Sequence, residues 1–446
     1  MRKSELASIQ NPYSLYIHIP FCAHRCAYCD FNTYAGQEAL IPAYVAALCQ
    51  EIASVALSAP SPLPVHTIFF GGGTPSLLAP RQFEAVLQTI RDHFDLSGRS
   101  QPEITLEANP GACSFASLLR LREIGFNRIS FGLQSANPAE LCLLERRHDF
   151  FDVIQSVKWA RQAGFANLNL DLIYGLPEQS LERWQVTVKR AVDLGPQHLS
   201  LYALTIEGGA PFARWMKRGL LPISDPDLAA GMYAWAGEYL ASAGYVQYEI
   251  SNWAKNVPPA ACDARRALHV ASRTSHPRYA CKHNLQYWLN LPYLGFGAGA
   301  HGCAAKLRVA NVLRIKTYLQ RMTEYRTSKL EFPRSPATCN IQHINLRTEM
   351  QETMLLGLRL TRVGVSDAAF HARFGMGIAE AFPEEIEDLL RLGLVEWVDS
   401  PLPVEVGPGV RVDSPLLSGE GPGVRSLRLT PHARLVANQA FVRFVG

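Results

Sequence analysis

Three closely spaced thiols are the residues of this sequence best suited to chemistry. Cys22, Cys26 and Cys29 fall within eight residues, directly after a run typical of a β-strand. Thiolate ligands suit iron, and three thiolates on one short loop can each hold one iron of a 4Fe-4S cube. The fourth iron then lacks a protein ligand and is open to an exchangeable small molecule. The spacing therefore predicts a 4Fe-4S cluster with one open iron.

Two other uses of these thiols are less well supported. A structural zinc site needs a fourth ligand at a recognisable spacing, but His24 has poor reach from inside the loop and Cys49 falls in an apolar, helix-like stretch. A disulfide framework is weaker still, because ten cysteines in 446 residues is far below the density of small secreted scaffolds. The thiols therefore indicate a reducing compartment.

Composition limits the partners and the location. The chain has 43 Lys and Arg against 39 Asp and Glu and no block of like charge, so nucleic acid is not indicated. The first residues lack an apolar targeting segment, and we expect no apolar run of 18 residues and hence no transmembrane segment. These observations predict a soluble, cytoplasmic protein.

The first half of the chain alternates short apolar runs with stretches of helical period, which indicates repeated βα units around a parallel sheet. Six strands are predicted: Ser14 to Ile19, His66 to Phe70, Glu103 to Glu107, Asn127 to Phe131, Asn167 to Tyr174 and His198 to Leu204. Six units fall short of a closed eight-unit barrel. The predicted fold is therefore α/β, a partial (β/α)6 barrel resembling a TIM barrel, with its site at the C-terminal ends of the strands.

Polar or glycine-rich segments follow the predicted strands. Beyond the cysteine loop they are residues 71–75, 107–110, 132–135 and 171–177. If the open iron takes S-adenosylmethionine, the glycines let main-chain groups approach its amine closely. Glu107, Gln134, Arg146 and Asp171 offer acceptors for ribose hydroxyls, donors for a carboxylate and a counter-charge for a sulfonium. The alternative for each is an ordinary surface or salt-bridged polar residue.

The composition along the chain predicts five regions. They are an N-terminal extension (1–11), the barrel (12–255), an insertion loop (256–276), a linking segment (277–345) and a small C-terminal helical, winged-helix-like domain (346–446). The last contains a Gly- and Pro-rich insertion at about 401–425, whose near-repeat predicts a mobile surface loop rather than a binding segment.

The motifs together resemble the radical S-adenosylmethionine family. They are Tyr16-Ile-His-Ile-Pro-Phe-Cys22-x3-Cys26-x-Tyr28-Cys29, Gly-Gly-Gly-Thr74-Pro, Glu107-Ala-Asn-Pro, Asn127-Arg-x-Ser-x-Gly-x-Gln134-Ser and Asn169-x-Asp171-Leu-Ile-Tyr-Gly-Leu-Pro. More narrowly, residues 12–257 and 277–400 resemble the branch that contains oxygen-independent coproporphyrinogen III oxidases and heme chaperones of the HemW type. The resemblance implies an S-adenosylmethionine pocket lined by Tyr16, Tyr28, Gly72, Gly73, Thr74, Glu107, Gln134, Arg146 and Asp171.

Three features favour the chaperones over the oxidases within this branch. The oxidases have another cysteine two positions after the third ligand, where this chain has Phe31, and a longer segment ahead of the cluster loop. In addition, the run from His283 to Trp288 matches the His-Asn-x-x-Tyr-Trp motif typical of the HemW type. The resemblance therefore implies a heme-handling protein.

The same motif supplies candidate heme contacts. His283 offers an imidazole to heme iron, and Tyr287 and Trp288 offer flat apolar surface to a porphyrin. Alternatively, His283 is a packed, hydrogen-bonded core residue; Cys281 is a second candidate for heme attachment.

We therefore expect a protein that binds a 4Fe-4S cluster, S-adenosylmethionine and heme and transfers heme to acceptor proteins, such as respiratory proteins, with an electron donor for the cluster. The alternative is an oxidase that decarboxylates two propionates of coproporphyrinogen III by means of a 5'-deoxyadenosyl radical. The sequence favours a protein that is not a coproporphyrinogen dehydrogenase, and it leaves the oligomeric state open.

Overall fold

A computed structural model describes residues 11–98, 100–222, 224–256, 276–325, 330–399 and 425–445. The chain divides into two compact units. The first, called here the sheet unit, comprises Pro12–Ala243 and Pro292–His343. The second, called the C-terminal unit, comprises Met1–Asn11, Gly244–Leu291 and Ile344–Gly446. The predicted N-terminal extension up to residue 10, and nearly all of the two predicted insertions at 256–276 and 401–425, lie outside the described residues.

Seventeen strands are found in the described residues. In chain order they are β1 (Tyr13–Ile19), β2 (Phe21–Cys22), β3 (Tyr34–Ala35), β4 (Val65–Gly72), β5 (Glu103–Ala108), β6 (Arg128–Gln134), β7 (Leu168–Tyr174), β8 (His198–Ala203), β9 (Tyr245–Glu249), β10 (Asn252–Lys255), β11 (Tyr293–Phe296), β12 (His301–Ala304), β13 (Leu307–Asn311), β14 (Thr338–His343), β15 (Val365–Ser366), β16 (Val395–Asp399) and β17 (Arg425–Leu429).

Fifteen α-helices are found in the same residues. They are α1 (Ile41–Ser58), α2 (Pro80–His93), α3 (Phe115–Ile124), α4 (Pro138–Leu143), α5 (Phe150–Gln162), α6 (Leu181–Asp193), α7 (Pro211–Lys217), α8 (Pro226–Ser242), α9 (Lys282–Trp288), α10 (Ile315–Glu324), α11 (Leu346–Gly357), α12 (Asp367–Phe374), α13 (Ile378–Ala381), α14 (Pro383–Arg391) and α15 (Ala437–Phe441).

The sheet unit is built on six parallel strands in the order β1-β4-β5-β6-β7-β8. These are the six predicted strands, with ends shifted by at most three residues, and the predicted partial-barrel fold class is confirmed. On the other side of β1 the sheet continues through parallel β11 and antiparallel β12, β13 and β14, which the six-unit prediction did not include. Parallel pairing brings the C-terminal ends of the six strands to one edge.

Amphipathic helices cover the sheet as the sequence period predicts. On α2 the four apolar residues Phe83, Val86, Leu87 and Ile90 are all buried, because their spacing places them on one face. The helix begins with Pro80 in its first turn, where the missing N–H costs no hydrogen bond.

Among the described residues, one helical segment, Glu38–Ser58, is long and apolar enough by length and composition to cross a membrane. Its most apolar window has a mean hydropathy of 1.6, so the expectation that no such run exists was wrong. Nine residues of α1 are buried, and the helix packs against α2 and α10, as core helices do. A cytoplasmic location stays a prediction.

The C-terminal unit combines helices with a small antiparallel sheet. Its strands lie in the order β15-β17-β16, and their apolar residues join those of α11, α12 and α14 in one core. Leu389, Leu427 and Leu429 are fully buried in this core. The β9–β10 hairpin and α9 belong to the same unit.

Candidate functional site

The three clustered cysteines lie on the loop that leaves β1. Cys22 ends the short strand β2, which pairs with β3, so that Cys22 lies opposite Ala35. The Cys29 N–H donates a hydrogen bond to the Cys26 carbonyl across 3.2 Å, which turns the loop back on itself. Cys22 is buried, whereas the other two cysteines are partly exposed. The loop therefore holds the three thiols at the C-terminal edge of the sheet.

Each of the three sulfur atoms lies beside a hydrogen-bond donor. Thr74 Oγ1 donates to Cys22 Sγ at 3.6 Å, and Arg146 Nη1 donates to Cys26 Sγ at 3.4 Å. The thiol of Cys29 lies beside the backbone N–H of Phe31. Donors of this kind stabilise sulfur ligands as thiolates, the form that binds metal.

A further donor, the hydroxyl of Thr33, is buried next to two of the thiols. Burial raises the pKa values of Cys22 and Cys29, and the neighbouring Thr33 hydroxyl opposes part of this rise in both thiols. Yet Thr33 Oγ1 makes no hydrogen bond of normal geometry. A buried hydroxyl without a partner costs about 1–3 kcal/mol, so this atom fits a site that is completed by a group with acceptor sulfur atoms.

The arrangement of the thiols suits a cluster better than a single ion. Among the residues with described positions, no three His, Cys, Asp or Glu side chains are grouped closely enough to hold one metal ion. Zinc–sulfur bonds of about 2.3 Å would place sulfur ligands only about 3.8 Å apart. In a 4Fe-4S cube each thiolate binds a different iron. The donor set therefore fits the predicted cluster.

Two glycines at the C-terminal end of β4 are required by close backbone approach. A Cβ on Gly73 would lie 2.6 Å from the Phe21 carbonyl oxygen and 3.0 Å from Cys22 Sγ. Gly72 has φ of 114°, and a Cβ there would lie 2.6 Å from the ring of His18. Only glycine satisfies both conditions. The two glycines thus bring main chain directly against the cluster loop.

Two carboxylates lie at the same edge of the sheet, on the strands β5 and β7 that flank β6. Glu107 Oε2 accepts a hydrogen bond from the Gly72 N–H at 3.1 Å. Asp171 accepts from Ser130 Oγ at 2.7 Å and from Asn169 Nδ2 at 2.8 Å. Burial, with the nearby Asp171 charge, raises the pKa of Glu107 to about 7, and burial also raises the pKa of Asp171. Hydrogen bonds therefore fix both carboxyl groups, and a nearby positive charge would lower their raised pKa values.

Arg146 joins the cluster loop to the strand ends. It lies after α4, donates to Asn109 Oδ1 at 2.7 Å and to the Gly132 carbonyl at 3.1 Å, and neighbours Tyr28. A Cβ on Gly132 would lie 2.7 Å from Gln134 Nε2 and 3.2 Å from Arg146 Nη2. The predicted residues Tyr28, Gln134 and Arg146 therefore lie together.

Gln134 itself adopts an uncommon backbone conformation. Its φ of 63° is left-handed, and the register between β6 and β7 is irregular from Phe131 to Gln134. The strand β6 ends three residues beyond the predicted Phe131. Non-glycine residues in this region of φ are uncommon and often lie at functional sites.

Tyr16 is linked to the loop through a histidine. Its hydroxyl contacts His18 Nδ1 at 3.0 Å, and His18 Nε2 contacts the Asn32 carbonyl oxygen at 3.0 Å. A carbonyl only accepts, so Nε2 carries the proton and Nδ1 accepts from Tyr16. Burial lowers the pKa of His18, consistent with a neutral ring. These two hydrogen bonds connect β1 to the segment that follows the cysteines.

The predicted heme motif lies in the C-terminal unit, on α9. His283 is only 2% exposed, and its Nε2 lies 2.9 Å from the Tyr287 hydroxyl one helical turn later, with the two rings perpendicular. Cys281, directly before the helix, is fully buried. The imidazole and the phenol thus engage each other in this structure.

Trp288 is likewise engaged within the same unit. The guanidinium of Arg359 lies 4.3 Å from the centroid of its ring, a cation–π contact. Arg359 Nη2 is also 3.5 Å from Glu249 Oε2, whose side chain is fully buried. One face of the indole is therefore covered by a guanidinium that a buried carboxylate holds in place.

Several residues of the site have no role predicted from the sequence. Asn109 lies in a quoted motif, and its amide joins Arg146 to Thr74, with Nδ2 3.2 Å from Thr74 Oγ1. His18 also lies in a quoted motif. Thr33 follows the cysteines with no distinguishing pattern. Motif membership could have indicated the first two, but only the fold reveals the third.

Comparisons with known proteins identify the family. Residues 16–191 match the Radical SAM superfamily, and residues 344–400 match the HemN C-terminal domain. The chain is 34% identical over 437 residues to a protein named heme chaperone HemW from Bacillus subtilis (strain 168), covering 97% of this chain and 99% of the relative.

Two further comparisons extend the likeness. A mouse (Mus musculus) protein named radical S-adenosyl methionine domain-containing protein 1, mitochondrial, is 34% identical over 393 residues, 86% of this chain and 81% of its own length. The solved structure of coproporphyrinogen III oxidase (HemN) from Escherichia coli aligns with a TM-score of 0.74 at 23% identity, covering 100% of this chain and 93% of that one. At this identity the structural match establishes the fold.

Proposed function

The chain belongs to the radical SAM family whose curated members include the HemW heme chaperones, and from this premise we propose that it works as a heme chaperone of the HemW type. It would bind a 4Fe-4S cluster, S-adenosylmethionine and heme, and transfer heme to acceptor proteins. The observation that supports this most strongly is the ring of donors around the three thiols, at the edge of a sheet whose chain matches a HemW protein along nearly its whole length.

Cys22, Cys26 and Cys29 would hold the cluster. When bound, it supplies an electron and one iron that is open to S-adenosylmethionine. The chain's part is to keep the sulfur ligands in their charged form. Thr74, Arg146 and the backbone of the loop supply donors for that purpose.

The polar residues at the strand ends would bind S-adenosylmethionine. Gly72 and Gly73 allow main-chain groups to approach its amine, and Arg146 has the donors to bind its carboxylate. Glu107 and Asp171 supply negative charge near the sulfonium. The family resemblance adds Tyr16, Tyr28, Thr74 and Gln134 to this pocket.

For heme, the motif on α9 is the candidate contact. Iron ligation through His283 Nε2 requires that its hydrogen bond with Tyr287 be given up and that the buried imidazole become accessible. Porphyrin packing on Trp288 would use the indole face not covered by Arg359. We therefore propose that heme is held through an opening of this motif, which suits a protein that must release its cargo.

The partners follow from the chemistry. A reduced cluster requires an electron donor, and a chaperone requires heme-accepting proteins, for which respiratory proteins are our proposal. The balance of 43 basic and 39 acidic residues gives no reason to include nucleic acid.

A turnover assay is the most direct test. The cluster is reconstituted anaerobically in the full chain, dithionite, S-adenosylmethionine and coproporphyrinogen III are added, and the porphyrins are separated chromatographically. We expect no protoporphyrinogen beyond one equivalent, with the cluster verified intact by its absorption and iron content. Multiple turnovers to protoporphyrinogen would establish the oxidase and overturn the chaperone proposal.

A heme-transfer experiment supplies the positive arm. The chain is loaded with hemin and mixed with increasing concentrations of an apo-acceptor, and transfer is followed by the absorption of the acceptor complex. Direct transfer predicts a rate that rises with acceptor concentration. A rate independent of acceptor concentration would show passive release instead.

A further inference from the structure

Four hydrogen bonds connect two of the three cysteines through a continuous path of side chains. The path runs from Cys22 Sγ to Thr74 Oγ1 (3.6 Å), to Asn109 Nδ2 (3.2 Å), from Asn109 Oδ1 to Arg146 Nη2 (2.7 Å), and from Arg146 Nη1 to Cys26 Sγ (3.4 Å). Asn109 is the middle member and the only one with no role proposed above. It is also the only member that contacts both arms of the path, namely Thr74 on the Cys22 side and Arg146 on the Cys26 side.

The chemistry of the amide sets the direction of every bond in this path. Arg146 can only donate, so the amide oxygen of Asn109 faces Arg146 and its NH2 group faces Thr74. The Thr74 hydroxyl has a single hydrogen. Because its oxygen accepts from Asn109, that hydrogen is left to point at Cys22 Sγ. Asn109 therefore orients one donor toward each of two sulfur atoms.

We propose that Asn109 is a positioning residue that aims hydrogen-bond donors at the Cys22 and Cys26 thiolates and thereby raises the reduction potential of the cluster. A donor to a thiolate stabilises the reduced cluster more than the oxidised one, because reduction adds one negative charge. The inference rests on the cluster binding proposed above. It does not depend on whether the chain handles heme.

The two arms have supports of their own that keep the site folded without the amide. Arg146 also donates to the Gly132 carbonyl at 3.1 Å, and the Thr74 N–H donates to the Phe21 carbonyl at 2.8 Å. Asn109 is itself partly exposed. Truncating it should therefore loosen the aim of the donors rather than unfold the loop.

The test is a redox titration with dithionite as the one-electron reductant, monitored by electron paramagnetic resonance on the reconstituted full chain. Asn109→Ala and Thr74→Val should each give a more negative midpoint potential than the wild type. The double variant should shift by less than the sum of the two, because both remove the same donor to Cys22. Thr74→Ser, which keeps the hydroxyl, should restore the wild-type potential.

Asn127→Ala is the matched control. Its amide bonds the Pro102 carbonyl and the Ile104 N–H at the start of β5, the opposite end of the strand from Asn109. We expect its midpoint to equal that of the wild type.

Three outcomes would overturn the proposal: a wild-type potential in Asn109→Ala with full iron content, a shift as large in the Asn127→Ala control, or strictly additive shifts. Should Asn109→Ala fail to take up iron, Asn109→Asp replaces it. This isosteric change turns the Thr74 hydroxyl toward the new carboxylate and must also lower the potential; a wild-type value there is equally contradictory. If the wild type itself takes up no cluster, the proposed function and the role of Asn109 fail together, whereas a wild type with full iron content and an unshifted Asn109→Ala variant overturns the role of Asn109 alone.

Discussion

The candidate sites of the two units differ in how their polar groups are used. In the sheet unit, donors from several separate elements point at three thiols, and the buried hydroxyl of Thr33 has no hydrogen bond of normal geometry. In the C-terminal unit, His283 bonds Tyr287, and Arg359 covers Trp288. In the first arrangement the donors point at sulfur atoms that await another group. In the second, the imidazole of His283 and one face of Trp288 are already engaged within the unit, although Trp288 Nε1 is buried without a hydrogen-bond partner.

The difference separates two kinds of ligand handling. A resident cofactor favours a preorganised site, whose unmet donors cost stability until the cofactor binds. A cargo that must be passed on favours a site with a competing internal state, because the competition lowers affinity and eases release. Four predictions test whether the units differ in this way.

The largest effect should come from the cluster ligands. Cys22→Ser, Cys26→Ser and Cys29→Ser should each lose essentially all of the reconstituted 4Fe-4S cluster, because each thiolate binds a separate iron. Iron and sulfide content measure the loss. Cys142→Ser, which alters an exposed cysteine, is the control and should keep the full complement. Retention of wild-type iron in any of the three ligand variants would refute the assignment of that ligand.

The second-largest effect should be on the unfolding free energy, through the buried carboxyl group of Glu107. Its pKa is raised to about 7 in the folded chain, mainly by burial. Its stabilising contribution is therefore fully present below about pH 4.5 and is lost as pH rises through 7. Glu107→Gln should remove this loss and be more stable than the wild type at pH 8, by on the order of 3 kcal/mol.

Denaturant unfolding of the chain without cofactors at pH 5 and pH 8 measures the Glu107 effect. Glu123→Gln, at an exposed position on α3, serves as the control and should follow the wild-type pH profile. If the unfolding free energies of Glu107→Gln and the wild type depended on pH in the same way, the pKa of Glu107 would not be raised by burial.

A smaller effect is expected at Arg146. Arg146→Lys keeps the charge but cannot donate at once to Asn109, Gly132 and a carboxylate. Loss of one charge-assisted hydrogen bond is worth about 2 kcal/mol, so the dissociation constant for S-adenosylmethionine should rise roughly 30-fold. Equilibrium binding on the reconstituted protein measures it, with the exposed Arg120→Lys as control. An unchanged constant would remove Arg146 from the pocket.

The smallest effect tests the closed motif of the C-terminal unit. Tyr287→Phe removes the hydroxyl that faces His283 Nε2, and we expect a loss of about 1 kcal/mol in unfolding free energy. If His283 ligates heme only after leaving Tyr287, the same change should tighten hemin binding, by up to about fivefold. The measurement is a hemin titration followed by absorption, with Tyr239→Phe as control.

A companion variant decides what the Tyr287 result means. His283→Ala should abolish the gain seen in Tyr287→Phe and alter the heme spectrum. Unchanged affinity and spectrum in a folded His283→Ala variant would end the ligation hypothesis and leave His283 as a packing residue.

The amino-acid sequence by itself determined the six parallel strands, the amphipathic face of α2 and the resemblance to the family, because these depend on local period and on short motifs. Tertiary structure decided what no local pattern encodes. The strands β11 to β14 return from a distant part of the chain to extend the sheet beside β1. The Thr33 hydroxyl, the Asn109 path and the left-handed Gln134 follow from where separate loops meet at one edge.

The histidine of the α9 motif shows the same division. Its type and spacing are read from the chain, yet its burial and its bond to Tyr287 are known only from the fold. Residue type decides which bonds a side chain can make, but packing decides which of them it makes, because a buried polar group must take the partner that the surrounding structure supplies.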